Sequence, residues 1–400
     1  MSRTVIPIGP YHPLQEEPEF FQLVCEGERI VDAFANVGYN HRGIEKLSEL
    51  KTFDQSTFVV ERICGICSTS HPLAYVYCIE DIFKEGDCVV PERALYIRTI
   101  VAELERIHSH LLWVGLAGHF LGYNTVYMWA WKQREEVLDM FEELTGNRNN
   151  YAMMKIGGVR RDFSDSSTAG VIKRLNTLMK FMKMIKKAFL DDPVLQARLK
   201  GIGVLTKQDC MDYGALGPTA RASGLDIDVR RDDPYAAYDR VSWSVATQQD
   251  GDVFAKAVVR IMEIMEAINI VIQCFNQMPK GPIDANIKDV PVGEGIGHIE
   301  APRGECFHYV RSDGTNRPVR HKVRAPTFMN LPTYKEALIG ETISDATIIL
   351  AGIDPCYCCT ERVTIIDANN TKKRNIFSQQ DLIKMSHAKT EEIRRRLKVK

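Results

Sequence analysis

The sequence predicts an α+β protein, a bundle of long helices at the core with smaller β-containing N- and C-terminal regions. Three observations predict it. Apolar residues recur at a 3.6-residue spacing through long stretches in the middle of the chain. Short strand-like runs broken by turn residues lie near both ends. The composition, 45% hydrophobic and 26% charged over 400 residues, is that of a globular chain, which sets aside a disordered, collagen-like or mostly membrane-embedded one.

Residues 1–50 read as a β-rich region. Phe20 to Cys25 and Ile30 to Phe34 are strand-like, and Glu26, Gly27 and Glu28 between them signal a hairpin. Residues 51–285 read as the helical core. Leu95, Ile97, Ile100, Val101, Leu104, Ile107, Leu111 and Leu112 mark a helix from Pro91 to about Gly118. Gln133 to Leu144 is a second helix, stopped before Gly146. Ser167 to Leu190 is a third, halted at Asp191, Asp192 and Pro193. The basic residues of the third helix, from Lys173 to Lys187, read as a solvated face. Asp252 to Gln277 is a fourth, with a core stripe of Phe254, Ala257, Val258, Ile261, Ile264, Met265, Ile268 and Ile272. Residues 286–400 read as an α/β region. His308 to Arg311 is a strand before the turn Ser312, Asp313, Gly314. Val363 to Ile366 is a second strand, and Leu382 to Leu397 a charged helix.

Lys and Arg number 51 against 52 Asp and Glu, a net charge of −1, which argues against a general nucleic-acid binder. Met1 to Pro10 lacks the basic and apolar runs of a signal peptide, so the chain is expected in the cytoplasm. Leu111 to Trp131 carries no Asp, Glu, Lys or Arg and is long enough to span a bilayer. Gly115, Gly118, His119, Gly122, Asn124 and Thr125 interrupt it. It reads as the end of one buried helix, a turn, and the start of another.

Eleven cysteines in a cytoplasmic chain point to thiols, metal ligands or core residues before disulfides. Cys64 and Cys67 form one CxxC pair, and Cys356 and Cys359 another. Each pair can aim two sulfurs at one centre, and thiolates favour soft or borderline metals such as nickel, zinc and iron. The pairs lie 289 positions apart, which excludes a local zinc ribbon but not a long-range zinc site. Thioredoxin-like chemistry fits less well, because no clear βαβ context accompanies either pair. Spacing alone gives a four-thiolate metal centre of unknown identity.

The surroundings carry a resemblance. Glu61 to Cys67 continues through Ser68, Thr69 and Ser70 to His71 and Pro72, and Asp354 to Cys359 continues to Thr360, Glu361 and Arg362. Both stretches resemble the paired motifs of the [NiFe]-hydrogenase large subunit, most closely the energy-converting, membrane-associated (Ech-like) branch. Gly9 to Pro13, His41 to Glu45, Gly217 to Arg221, Glu300 to Gly304 and Ser312 to Gly314 extend the likeness over most of the chain. Several of these are shared with the quinone-site large subunit of complex I, which lacks the four thiols.

The resemblance implies a nickel–iron centre whose iron carries CO and cyanide. Cys64 and Cys356 would bind nickel terminally, and Cys67 and Cys359 would bridge to iron. Cys356 would serve as first base. Glu17 would pass protons, with adjacent Glu16 the alternative. Arg303, next to Pro302, would place a guanidinium over the metals, and Asp354 would hold it or the site backbone. His71 would bond a bridging sulfur. Glu45 corresponds to a carboxylate that helps hold magnesium in some relatives. Cys25, Cys78, Cys88, Cys210, Cys274, Cys306 and Cys358 show no ligand spacing and read as small buried residues.

The implied reaction is reversible H2 formation with ferredoxin-derived electrons, coupled to ion translocation by partners. Those partners would be a small [4Fe–4S] subunit, a ferredoxin-type electron-transfer subunit and integral membrane subunits. The chain would sit peripherally on the cytoplasmic face of the membrane. Arg362 stands where many hydrogenase large subunits carry a histidine and are cleaved; the tail is expected to be retained, with a removable extension the alternative. Two other readings stay open: a quinone- or sulfur-site redox subunit, and a scaffold holding zinc.

Overall fold

The computed structural model describes residues 3–12, 15, 17–360 and 379–397. Glu16 and the strand expected at Val363 to Ile366 lie outside the described residues. Residues 1–361 form one compact unit and 362–400 another. In the second, α15 (Gln379–Leu397) covers the expected terminal helix.

The first unit is mixed α and β, as expected. It opens with an antiparallel sheet of β1 (Arg3–Ile8), β2 (Phe20–Glu26) and β3 (Arg29–Asn36). Phe21, Leu23 and Cys25 alternate inward along β2. Short helices α1 (Ile44–Glu49), α2 (Phe53–Glu61) and α3 (Ser70–Glu80) follow. A capping box between Thr52 and Gln55 starts α2. The sequence reading missed β1 and these three helices, which are short and carry no long apolar period.

Four long helices form the core: α4 (Glu92–Phe120), α5 (Asn124–Thr145), α6 (Asp165–Asp191) and α11 (Val253–Gln277). Between α5 and α6 lies a two-stranded hairpin, β4 (Met154–Lys155) and β5 (Gly158–Val159). Between α6 and α11 lie α7 (Pro193–Leu199), α8 (Lys207–Tyr213), α9 (Gly217–Arg221) and α10 (Val229–Asp232). Stop signals act where the sequence put them. Gly146 ends α5 at a positive φ of 84°, and Asp252 caps α11 through Ala255 N at 2.7 Å. The turn inside the uncharged stretch 111–131 is real, since α4 ends at Phe120 and Gly122 turns the chain at φ 82°. Helix α5 starts at Asn124, well before the expected Gln133. Among the described residues no helix is long and apolar enough to cross a membrane.

Helix α4 packs on both α5 and α11, and α6 packs on α11. The basic face of α6 is largely exposed, as expected. Met265 and Ile272 of the expected α11 stripe are only half-buried, while the acidic Glu263 is buried. A second antiparallel sheet closes the unit: β6 (Val292–Ala301), β7 (Gly304–Asp313) and β8 (Pro318–Arg324). Its β6 and β7 pack on α3. Helices α12 (Pro326–Asn330), α13 (Tyr334–Leu338) and α14 (Ile343–Gly352) follow. The stretches 1–50, 51–285 and 286–360 thus meet within one unit, with β3 against α13 and α3 against the second sheet.

Candidate metal centre

Two tight turns build the site. Cys64 and Cys67 lie in the turn between α2 and α3, where Cys64 Sγ accepts from the Ile66 and Cys67 amides at 3.3 and 3.4 Å. Cys356 and Cys359 lie in a single turn after α14, with Cys356 N donating to Thr327 Oγ1 at 3.1 Å. The four sulfurs are buried and all lie within 4.8 Å of one another. Cys356 Sγ stands 3.1 Å from Cys64 Sγ and 2.7 Å from Cys359 Sγ. Arg42 ties the two turns together: its guanidinium donates to the carbonyls of Arg62, Ile63 and Cys358 at 2.7, 2.6 and 3.4 Å.

Bonds to the neighbouring thiols, first Cys356, hold Cys64 as a thiolate well below the ordinary thiol range. The other three are raised: the bond to Cys356 raises Cys67, that to Cys358 raises Cys356, and burial raises Cys359. Binding a cation pair would release the remaining protons, which is how thiolate metal sites load. The donor set fits soft or borderline metals, including nickel with iron.

Arg303 supplies the fixed positive charge. Pro302 and Arg303 form the two-residue turn between β6 and β7. From there the buried guanidinium donates to Asp354 O at 2.8 Å, Asp354 Oδ1 at 2.7 Å and Ser109 Oγ at 3.0 Å, and comes within 3.8 Å of Cys67 Sγ. Asp354 takes a positive φ of 57° just before the second cysteine turn, and Arg260 Nε stands 3.6 Å from its other oxygen.

Glu17 reaches the second cysteine turn. Its carboxylate accepts from Cys358 N at 2.7 Å and Cys358 Sγ at 2.8 Å. Burial, then the Cys64 charge, raises its pKa, which suits a group that takes and gives a proton. His71 Nε2 lies 3.4 Å from Cys359 Sγ, and burial lowers the ring to about 4. Glu45 is in none of the ligand clusters of the described residues. Its carboxylate receives Lys322 Nζ at 2.7 Å and Val323 N at 3.0 Å.

Several residues of the site escaped the sequence reading. Cys358 touches Glu17 and stands 3.6 Å from Cys356 Sγ, so it is no mere filler. Cys306 lies 3.5 Å from His71 Nδ1. Glu105 receives the first amides of α3, Thr69 N and Ser70 N, and burial raises its carboxyl to about 8. Cys306 and His308 share the buried face of β7, but with Phe307 and Tyr309 between and beside them the sequence shows no alternation, and nothing in it linked that face to a cysteine turn far away.

The family described as respiratory-chain NADH dehydrogenase, 49 Kd subunit, matches residues 121–290 and 285–362, and that described as nickel-dependent hydrogenase matches residues 42–116. The membrane-bound hydrogenase subunit alpha of Pyrococcus furiosus is 41% identical over 97% of this chain and 93% of its own length. The chain belongs to the joint family of [NiFe]-hydrogenase large subunits and complex I 49 kDa subunits. Within that family it is similar to the carbon monoxide-induced hydrogenase of Rhodospirillum rubrum, at 40% identity over 90% of this chain and 100% of the relative. An NADH-quinone oxidoreductase subunit of Clostridium beijerinckii is 36% identical over 87% of this chain and 94% of its own length. A solved membrane-bound sulfane sulfur reductase superposes with a TM-score of 0.85 at 32% identity, covering 90% of this chain and 98% of that one. These relatives support an oxidoreductase role for this member of the family.

Proposed function

We propose that this chain is the catalytic subunit of an energy-converting [NiFe] hydrogenase, forming and oxidising H2 with ferredoxin-derived electrons. The observation that carries the reading is the convergence of Cys64, Cys67, Cys356 and Cys359 in one buried cluster. The similarity to membrane-bound and carbon monoxide-induced hydrogenases supports it.

Cys64 and Cys356 would hold nickel, and Cys67 and Cys359 would bridge to an iron bearing CO and cyanide. When bound, that centre supplies the place where H2 is split or formed and where electrons enter and leave. The chain's own residues manage protons and charge. Cys356 Sγ stands 3.6 Å from Cys358 Sγ, which donates to Glu17 Oε1 at 2.8 Å. Cys356, Cys358 and Glu17 are thus spaced for stepwise transfer. Arg303, fixed by Asp354 and Ser109, offsets thiolate charge near Cys67 and keeps that face polar. A small [4Fe–4S] subunit, a ferredoxin-type subunit and ion-translocating membrane subunits complete the assembly, which holds the chain at the cytoplasmic face of the membrane.

Infrared spectra of the purified complex test the reading. Iron-bound CO and cyanide stretches that shift under H2, with about one nickel per chain, are expected. Fully matured complex without those bands or nickel would overturn it. The likeness to the sulfane sulfur reductase and to the NADH-quinone oxidoreductase relative supports a second reading, a sulfur- or quinone-site redox protein, which predicts that outcome.

A further inference from the structure

Behind Cys359 stands an unbroken row of buried polar groups. His71 Nε2 faces Cys359 Sγ at 3.4 Å, and His71 Nδ1 meets His308 Nε2 at 3.1 Å. His308 Nδ1 meets His321 Nε2 at 3.0 Å, and His321 Nδ1 meets Ser48 Oγ at 2.6 Å. The Ser48 hydroxyl reaches Glu45 O at 2.8 Å. All three rings and Ser48 are buried. We propose that Cys359, His71, His308, His321 and Ser48 form a proton wire to the cysteine cluster, on a route that shares no residue with Cys358 and Glu17.

The argument is one of donors and acceptors. A neutral imidazole has one N–H and one bare nitrogen, so it can pass a proton by taking one on one side and giving one on the other. The ring-to-ring contacts at 3.1 and 3.0 Å need one N–H and one bare nitrogen facing each other, and burial, which lowers His321 to about 4 and also lowers His308, favours neutral rings there. Because His308 bonds a ring on each side, it must donate to one and accept from the other. The two N–H···N bonds exist together only when all three rings carry the same tautomer. With every proton on Nδ1, the row runs from the Cys359 thiol outward to Ser48 and on to Glu45 O. With every proton on Nε2, it runs from the Ser48 hydroxyl inward to a Cys359 thiolate.

One proton passing along the row converts one polarity into the other. Inward transfer breaks the Ser48 O–H and each Nε2–H bond. It forms an Nδ1–H on each ring and an S–H on Cys359. Ser48 is refilled by a solvent proton. The outer end lies beneath the half-buried Glu45 and Glu49, and Glu49 Oε1 accepts from His321 N at 3.4 Å. Lys322 and Arg320 pair with these two carboxylates. Moved in concert, the protons leave every ring neutral, which suits a core that would not solvate an imidazolium. The row also toggles: it passes a second proton the same way only after its polarity has been reset.

The bond chain stands on contacts of this chain alone, whereas its use in turnover rests on the proposed hydrogenase reading. Two experiments therefore separate them. In the full chain labelled with 15N-histidine, NMR of the imidazole nitrogens should give His71, His308 and His321 as neutral rings of one tautomer. Unlike tautomers, or a charged ring, would overturn the wire whatever the enzyme does. In the purified complex, Ser48→Ala and His308→Gln should retain nickel yet slow H2 turnover on the order of ten- to a hundredfold, with a larger solvent isotope effect. Ser48→Thr, which keeps a hydroxyl, should restore much of the rate. Tyr75→Phe, beside His308 and His321 but outside the row, should match the parent. Parent rate and isotope effect in a nickel-replete Ser48→Ala complex would overturn the proposal. A parent complex without nickel or turnover would sink the hydrogenase reading, and the tautomers would still decide the wire.

Discussion

Arg303 shows how much a single side chain does here. Three of its N–H groups are committed, two to Asp354 and one to Ser109, and the same Nη1 that reaches Ser109 also faces Cys67. A lysine cannot reproduce that fork, because an ammonium is a compact point charge on a flexible stem. Arg303→Lys should therefore keep the net charge and much of the metal while losing its placement. We expect H2 turnover to fall on the order of a hundredfold with nickel content near the parent value, read by gas-exchange rates beside metal analysis. An activity within twofold of the parent would refute the role. Arg303 and Glu17 were legible because each sits in a short stretch with a recognisable neighbourhood. His308, His321 and Cys358 were not, because their partners come from Ser48, His71 and Glu17, distant in the chain.

At the scale of elements, α3 carries His71 and lies directly on β6. The contact is made through glycine. A Cβ on Gly295 would fall 1.9 Å from Cys78 O, and one on Gly297 2.2 Å from Ala74 O, so only bare backbone lets the helix approach. Gly293, Gly295 and Gly297 share one face of the strand by their spacing of two. That alternation was present in the sequence, but a glycine-rich strand reads as a loop until its helix is seen. Gly295→Ala must push backbone against backbone. We expect a loss of about 3 kcal/mol or more and poor nickel incorporation, checked by thermal unfolding and metal analysis. The same hairpin carries a pH-sensitive pin. His298 on β6 pairs with Glu305 on β7 and with Asp233, both at 2.7 Å, and these partners raise its pKa to about 9. Its stabilisation is full below the unfolded value near 6.5 and is lost as pH rises through about 9. The side chain is 32% exposed, so solvent screening cuts the contribution to about 1 kcal/mol. Unfolding free energy should fall by that amount between those pH values, and His298→Gln should remove the slope; an unchanged slope would exclude the pair as its source.

The whole molecule is organised around buried charge as much as around buried hydrocarbon. Helix periodicity found the four long helices, because apolar stripes on α4, α5, α6 and α11 do pack together. It says nothing of the polar positions of α4 and α11. Glu103, Arg106 and His110 on α4, and Arg260 and Glu263 on α11, look like solvated positions yet are buried. They are matched by residues from other segments, which one helix's pattern cannot reveal. Glu263 faces His110 Nε2 at 2.8 Å and receives Arg221 Nε at 3.0 Å, with Arg106 Nη1 at 3.8 Å. Arg221 in turn meets Glu300 at 2.7 Å, and Arg230 bridges Asp228 and Glu103. Removing one charge from such a network leaves others buried without compensation, which costs more than the pair itself contributes. Glu263→Gln keeps the shape but removes one of the carboxylates that balance Arg221 and Arg106. We expect it to destabilise the unit by about 3–5 kcal/mol. Asp226→Asn, which breaks the exposed pair with Arg231, should stay within about 0.5 kcal/mol of the parent. Denaturant unfolding of both variants measures the contrast. If the two losses are alike, the buried network does not hold the helices together, and the apolar stripes alone account for the core.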